Sequence, residues 1–166
     1  GSERMLAKIN KNITKAHIEK AFSNSIKVGI NPNVFLMVGF PDETEDDIKD
    51  TIAFAESTKA FSICLSVFTP YPGTLLFKRT NELGLIQDDF NWCNISHQSF
   101  SNYFTQCVSF DKFHSLLKEL ISVVDRHNLS IYKRIFKISI MIRNNPKLVL
   151  RKAINKLKIL AKKHIF

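Results

Sequence analysis

After Asp125 the sequence contains no aspartate or glutamate, yet 12 of its 24 lysines and arginines lie there. Through Asp125 there are 12 basic and 15 acidic residues, a balance of −3, so the net charge of +9 comes entirely from the last quarter. Long hydrophobic runs are also missing. Nothing approaches the roughly 20 consecutive apolar residues of a membrane span, and Gly1-Ser2-Glu3-Arg4 begins no signal-type apolar core. Cysteine is scarce: Cys64, Cys93 and Cys107 are odd in number and far apart, which argues against a disulfide framework. They are read as buried, reduced thiols in a cytoplasmic protein. Cys93 and His97, with Cys107 and His114 downstream, lack the tight paired spacing of a zinc or cluster site, so no metal ligands are assigned.

What remains is ordinary for a globular domain: 166 residues, 45% of them hydrophobic and 23% charged. Apolar Met5, Leu6 and Ile9 suggest a helix end. Thr14 is suited to cap a helix over residues 15–28 with Ile18, Phe22 and Ile26 on one stripe, and Gly29 suits a left-handed terminus. Residues 34–39 are continuously apolar and bounded by turn residues, which predicts a strand covered on both faces.

Thr44 follows with Glu45, Asp46 and Asp47, the pattern of a capping box whose acids complement the positive helix end. Ile48, Ile52 and Ala55 form the buried stripe of that helix. Residues 61–68 alternate, with Ile63, Leu65 and Val67 on one face and Ser62, Cys64, Ser66 and Phe68 on the other. Strand, helix and strand at this spacing predict parallel βα units with right-handed crossovers. A short helix over 75–83 ends at Gly84, and residues 86–106 read as an irregular connector. From Asp111, Phe113, Leu116, Leu117, Leu120, Ile121 and Val124 form a wide helical stripe. Residues 131–143 are apolar and basic. Asn144-Asn145-Pro146 breaks them, and Leu150, Ile154, Leu157 and Leu160 then recur at helical spacing.

Two stretches carry the chemistry: Met37-Val38-Gly39-Phe40-Pro41-Asp42-Glu43-Thr44 and Thr69-Pro70-Tyr71-Pro72-Gly73-Thr74. Each ends an apolar strand in a rigid turn and opens onto a helix, where α/β folds keep their ligands. Together with Lys11-Asn12-Ile13-Thr14, they resemble, over residues 1 to about 80, the later part of the cobalamin-type or MiaB-like radical SAM proteins. The first resembles that family's Gly-Leu-Pro-Gly-Glu-Thr loop after strand five, the second its Pro-Tyr-Pro-Gly-Thr loop after strand six. Asp42 stands where the family has glycine, Phe35 where it often has glycine, and the family's Cys-x-x-x-Cys-x-x-Cys loop has no counterpart.

The resemblance implies an α/β fold, a partial (β/α) barrel with two parallel βα units and an α-helical C-terminal extension. The expected organisation is barrel part at 1–84, connector at 85–110 and basic helical extension at 111–166. It implies an enzyme whose [4Fe–4S] cluster reduces S-adenosylmethionine to release a 5′-deoxyadenosyl radical, and it leaves a cobalamin cofactor open. Met37, Gly39, Phe40, Pro41 and Glu43 would line the S-adenosylmethionine side, with the missing Cβ of Gly39 admitting a flat base. Ser66, Phe68 and Tyr71 would face the substrate. No catalytic residue is assigned, and this chain would need a missing N-terminal barrel half to act. The alternative is a non-catalytic interaction module that uses its basic tail on a membrane surface or a protein partner. For the tail, a solvated face on a docked helix is the first expectation and contact with an anionic membrane the second. Few aromatics after Phe136 argue against nucleic acid.

Overall fold

Two strands, β1 (Asn33–Val38) and β2 (Ser62–Val67), pair in parallel, with Val34 opposite Ile63 and Val38 opposite Val67. The computed structural model describes residues 1–86, 93, 99–129, 139 and 143. The chain divides into two units, Gly1–Asn128 and Leu129–Phe166. Apart from residues 139 and 143, the apolar stretch at 131–143 lies outside the described residues, as does the stripe of Leu150, Ile154, Leu157 and Leu160.

Helices α1 (Glu3–Lys8) and α2 (Lys15–Lys27) precede β1, and α3 (Glu45–Ser57) crosses from β1 to β2. Local chemistry sets their ends. Thr14 accepts from the His17 amide, and Thr44 from the Asp47 amide, while the His17 and Asp47 side chains reach back to the cap amides. Gly29 and Gly84 close α2 and α4 (Leu75–Glu82) at φ +79° and +66°. Helix α5 (Phe110–Leu129) follows the connector.

The main core joins Phe22 of α2, Val34, Leu36 and Val38 of β1, Ile48, Ile52, Phe54 and Ala55 of α3, Ile63 and Val67 of β2, and Phe113 through Val124 of α5. A two-stranded sheet is marginal by itself. Here one face is covered, and Asn128 at the end of α5 engages β2. Its side-chain amide accepts from the Ile63 N–H and donates to the Ile63 carbonyl, each at 2.9 Å, as a neighbouring strand would.

Three expectations need correction. β1 is not covered on both faces: Val34, Leu36 and Val38 are buried, but Phe35 is 79% and Met37 41% exposed. The apolar run hides an ordinary period-2 alternation, because both of its faces happen to carry apolar residues. Ile26 does not join the α2 stripe. It is 48% exposed, beside exposed Val28 and Ile30, and no described element covers that last turn. Cys64, Cys93 and Cys107 are exposed, not buried. The α/β class stands, and among the described residues the sheet holds two parallel strands.

Candidate functional site

Beyond Val38 the chain turns at Gly39, whose φ of +89° lies in the region that side chains disfavour. The structure gives this glycine a reason other than access for a flat base. A Cβ there would meet Phe113 Cζ and Val67 Cγ1, each at 3.2 Å, so the space beside Gly39 already belongs to the core. The turn then folds back on itself. The Glu43 carboxylate Oε2 accepts from the Gly39 amide and, at 3.3 Å, from the Phe40 amide. Glu43 is 1% exposed, and burial pushes its carboxyl up to about 7 although both amides favour the charged form.

Asp47, one turn into α3, has the opposite electrostatics. Burial alone would raise it, but hydrogen bonds from Arg4, Ser2 and Thr44 outweigh that and hold it far below the carboxylate range. Arg4 clasps it side-on through Nε and Nη2, and the Ser2 hydroxyl donates to it at 2.6 Å. Two carboxylates four residues apart are thus set to different protonation behaviour, Glu43 by burial and Asp47 by its hydrogen-bond partners.

A cavity of about 320 Å³ opens beside the end of β1. Phe35 and Met37 line it from the exposed sheet face and Ser66 from β2. Phe40 and Glu43 line it from the turn, and Met5, Leu6, Ile9 and Lys11 from α1 and the residues after it. Its volume is within the range of small-molecule sites, and its walls are mostly apolar with few polar groups.

Of the residues singled out in the sequence, Met37, Phe40, Glu43 and Ser66 come together on this cavity. Gly39 forms the turn behind it. Pro41 is buried, and its carbonyl accepts from the Gln106 amide at 3.1 Å. Phe68 is 3% exposed and packs with Met5, Phe40 and Phe104, its ring 5.2 Å from that of Phe40, so it backs the wall and does not line the cavity. Tyr71 is 53% exposed and is not on the cavity. The contribution of α1 and Phe35 went unread, as did the return of the connector through Asn102, Phe104, Thr105 and Gln106. Asn102 donates to the Thr69 hydroxyl at 2.9 Å, and the Thr105 hydroxyl donates to the Glu43 carbonyl at 3.1 Å. The mixed polar and aromatic run Asn102-Tyr103-Phe104-Thr105-Gln106 carries no periodic signal that could have shown this.

Among the described residues no three His, Cys, Asp or Glu side chains converge as metal ligands. The exposed, separated cysteines do not fit a [4Fe–4S] cluster.

No family model matches the chain. Over 77 residues it is 35% identical to an uncharacterized methyltransferase of Pyrococcus horikoshii, covering 46% of this chain and 17% of that protein. Over 95 residues it is 32% identical to a tRNA-2-methylthio-N(6)-dimethylallyladenosine synthase of Clostridioides difficile, covering 55% and 20%. Over 79 residues it is 34% identical to a threonylcarbamoyladenosine tRNA methylthiotransferase of Treponema pallidum, covering 46% and 16%. The chain therefore spans about a fifth or less of the length of the curated relatives it matches.

Proposed function

We propose that the turn after β1 and its cavity form the S-adenosylmethionine-facing wall of a radical SAM enzyme that transfers methyl or methylthio groups. The observation that carries this reading is the convergence of Met37, Phe40, Glu43 and Ser66 on one apolar cavity at a strand end. Partial similarity to methyl- and methylthio-transferring proteins supports it independently. Tyr71, exposed on the neighbouring turn, belongs to the substrate-side rim in this reading.

The residues present suit the organic cofactor and not the cluster. Met37 offers a polarizable apolar surface and Phe40 an aromatic one, against which a flat base can pack. Ser66 supplies a hydroxyl that can donate or accept. Glu43 acts from behind: its carboxylate holds the Gly39 and Phe40 amides, and so fixes where the Phe40 ring stands. The cluster, which supplies the electron for S-adenosylmethionine cleavage, is assigned to a part of the protein outside this chain.

The test is equilibrium dialysis of S-adenosylmethionine against the full-length protein and its Ser66→Trp variant. An indole at position 66 fills the cavity from the exposed sheet face, where the core is not disturbed. Binding is expected to weaken by about tenfold or more with an unchanged circular dichroism spectrum. A wild-type protein without affinity for S-adenosylmethionine would favour the interaction-module reading. Equal binding by the folded variant would move the cofactor elsewhere.

A further inference from the structure

We propose that Asp42 is the positioning residue of the turn after β1, a charged latch that ties three other segments to that turn. Its carboxylate pairs with Lys8 of α1 at 3.3 Å and with Arg79 of α4 at 3.1 Å. The same carboxylate accepts from Gln106 Nε2 of the connector at 3.3 Å. Its backbone carbonyl accepts from Arg4 Nη2 at 2.8 Å. The flanking residues are held by the same segments, Pro41 by the Gln106 amide and Glu43 by the Thr105 hydroxyl, each at 3.1 Å.

Position in the turn explains why the charge sits here. Pro41 and Glu43 are buried and face inward, whereas the Asp42 side chain keeps 16% exposure and meets cations arriving from the solvent side. The backbone does not require glycine at this position, since among the described residues only Asn10 and Asn12 combine a side chain with positive φ. A carboxylate therefore fits without strain. An isolated exposed ion pair contributes little. This one is shared between two cations and an amide from three segments, so its loss removes the counter-charge that Lys8 and Arg79 have in common. Hydrogen bonding from Arg79, and then from Lys8, keeps the Asp42 carboxyl below the ordinary range.

Phe40 and Glu43, on either side of Asp42, belong to the cavity wall. Releasing the latch should loosen the wall without unfolding the core, because no core residue contacts the Asp42 carboxylate through these bonds. The consequence for ligand binding rests on the S-adenosylmethionine reading above; the latch itself does not.

Two readouts on the full-length protein separate the two ideas: amide hydrogen exchange at Gly39, Phe40 and Glu43, and S-adenosylmethionine dialysis. In Asp42→Asn, exchange at these amides is expected to accelerate about three- to fivefold, with a matching loss of affinity and a nearly unchanged melting temperature. Asp42→Glu should recover part of both, and the wild type should approach the variant at high salt. The double variant Lys8→Gln/Arg79→Gln, which leaves Asp42 in place, should reproduce the faster exchange and guards against a folding defect specific to position 42. If the wild type binds no S-adenosylmethionine, the functional reading fails while the exchange data still report on the latch. Wild-type exchange rates in folded Asp42→Asn, or in the double variant, would overturn the latch.

Discussion

The turns after β1 and β2 share one local design and differ in what surrounds them. Each leaves a parallel strand, passes a proline and a glycine with φ near +85° (+89° at Gly39, +83° at Gly73), and starts a helix under a threonine cap. Around the first turn, Pro41 and Glu43 are buried, Asp42 is ion-paired, and α3 buries Ile48, Ile52, Phe54 and Ala55. Around the second, Tyr71 is 53% and Leu75 84% exposed, and α4 buries only Thr80. The same punctuation therefore serves a buried cavity wall in one place and an exposed turn in the other. What separates them is long-range: α1, the connector and Phe113 reach the first turn.

The sharpest way to break this comparison is to put alanine at both glycines. Gly73→Ala carries only the cost of positive φ, about 1–2 kcal/mol, since nothing lies within 4 Å of its Cβ position. Gly39→Ala adds overpacking against Phe113 and Val67, for a total of about 2–5 kcal/mol by denaturant unfolding. Equal losses would mean that the two turns are equally free. Bulkier Gly39→Val should compromise the fold itself, and not only cofactor affinity.

Acid titration should expose the next largest difference. Glu43 has its folded pKa raised from 4.5 to about 7, so its folded form binds the proton more tightly. The stabilisation this gives is complete below pH 4.5 and is lost as pH rises toward 7, a decline of up to about 3 kcal/mol. Glu43→Gln should flatten the stability curve over that window. Asp47 has its folded pKa lowered, so its contribution is present above the unfolded value of 3.8 and disappears as pH falls below it. Asp47→Asn should flatten the acid limb and leave the window above it alone. A curve that does not change in Glu43→Gln would show that burial does not govern this carboxyl.

The smallest expected contrast is between the two caps. Thr44→Ala loses a cap that also bonds Asp47 and should cost about 1–2 kcal/mol, whereas Thr74→Ala, on the exposed α4, should cost about 0.5–1 kcal/mol. Thermal melts of the pair would sharpen the comparison, and a larger loss at Thr74 would reverse it.

Local signals were legible in the residues alone. Thr14 and Thr44 start helices and Gly29 and Gly84 end them, because caps and left-handed termini are decided within four or five residues. The alternation of β2 and the stripe of α5 were legible for the same reason, their periods being set by backbone geometry. Four of the eight predicted site residues, Met37, Phe40, Glu43 and Ser66, share the cavity because they follow from strand and turn positions. The tertiary structure alone decided which face of β1 is covered, since Phe35 and Val34 are equally apolar and only the placement of α3 and α5 tells them apart. It alone decided that Phe113 occupies the space beside Gly39, that Phe68 is buried, and that Gln106 and Arg79 meet at Asp42. Those contacts join residues 28 to 74 positions apart, and the energy that selects them comes from burial and charge pairing across the folded chain, which no local period encodes.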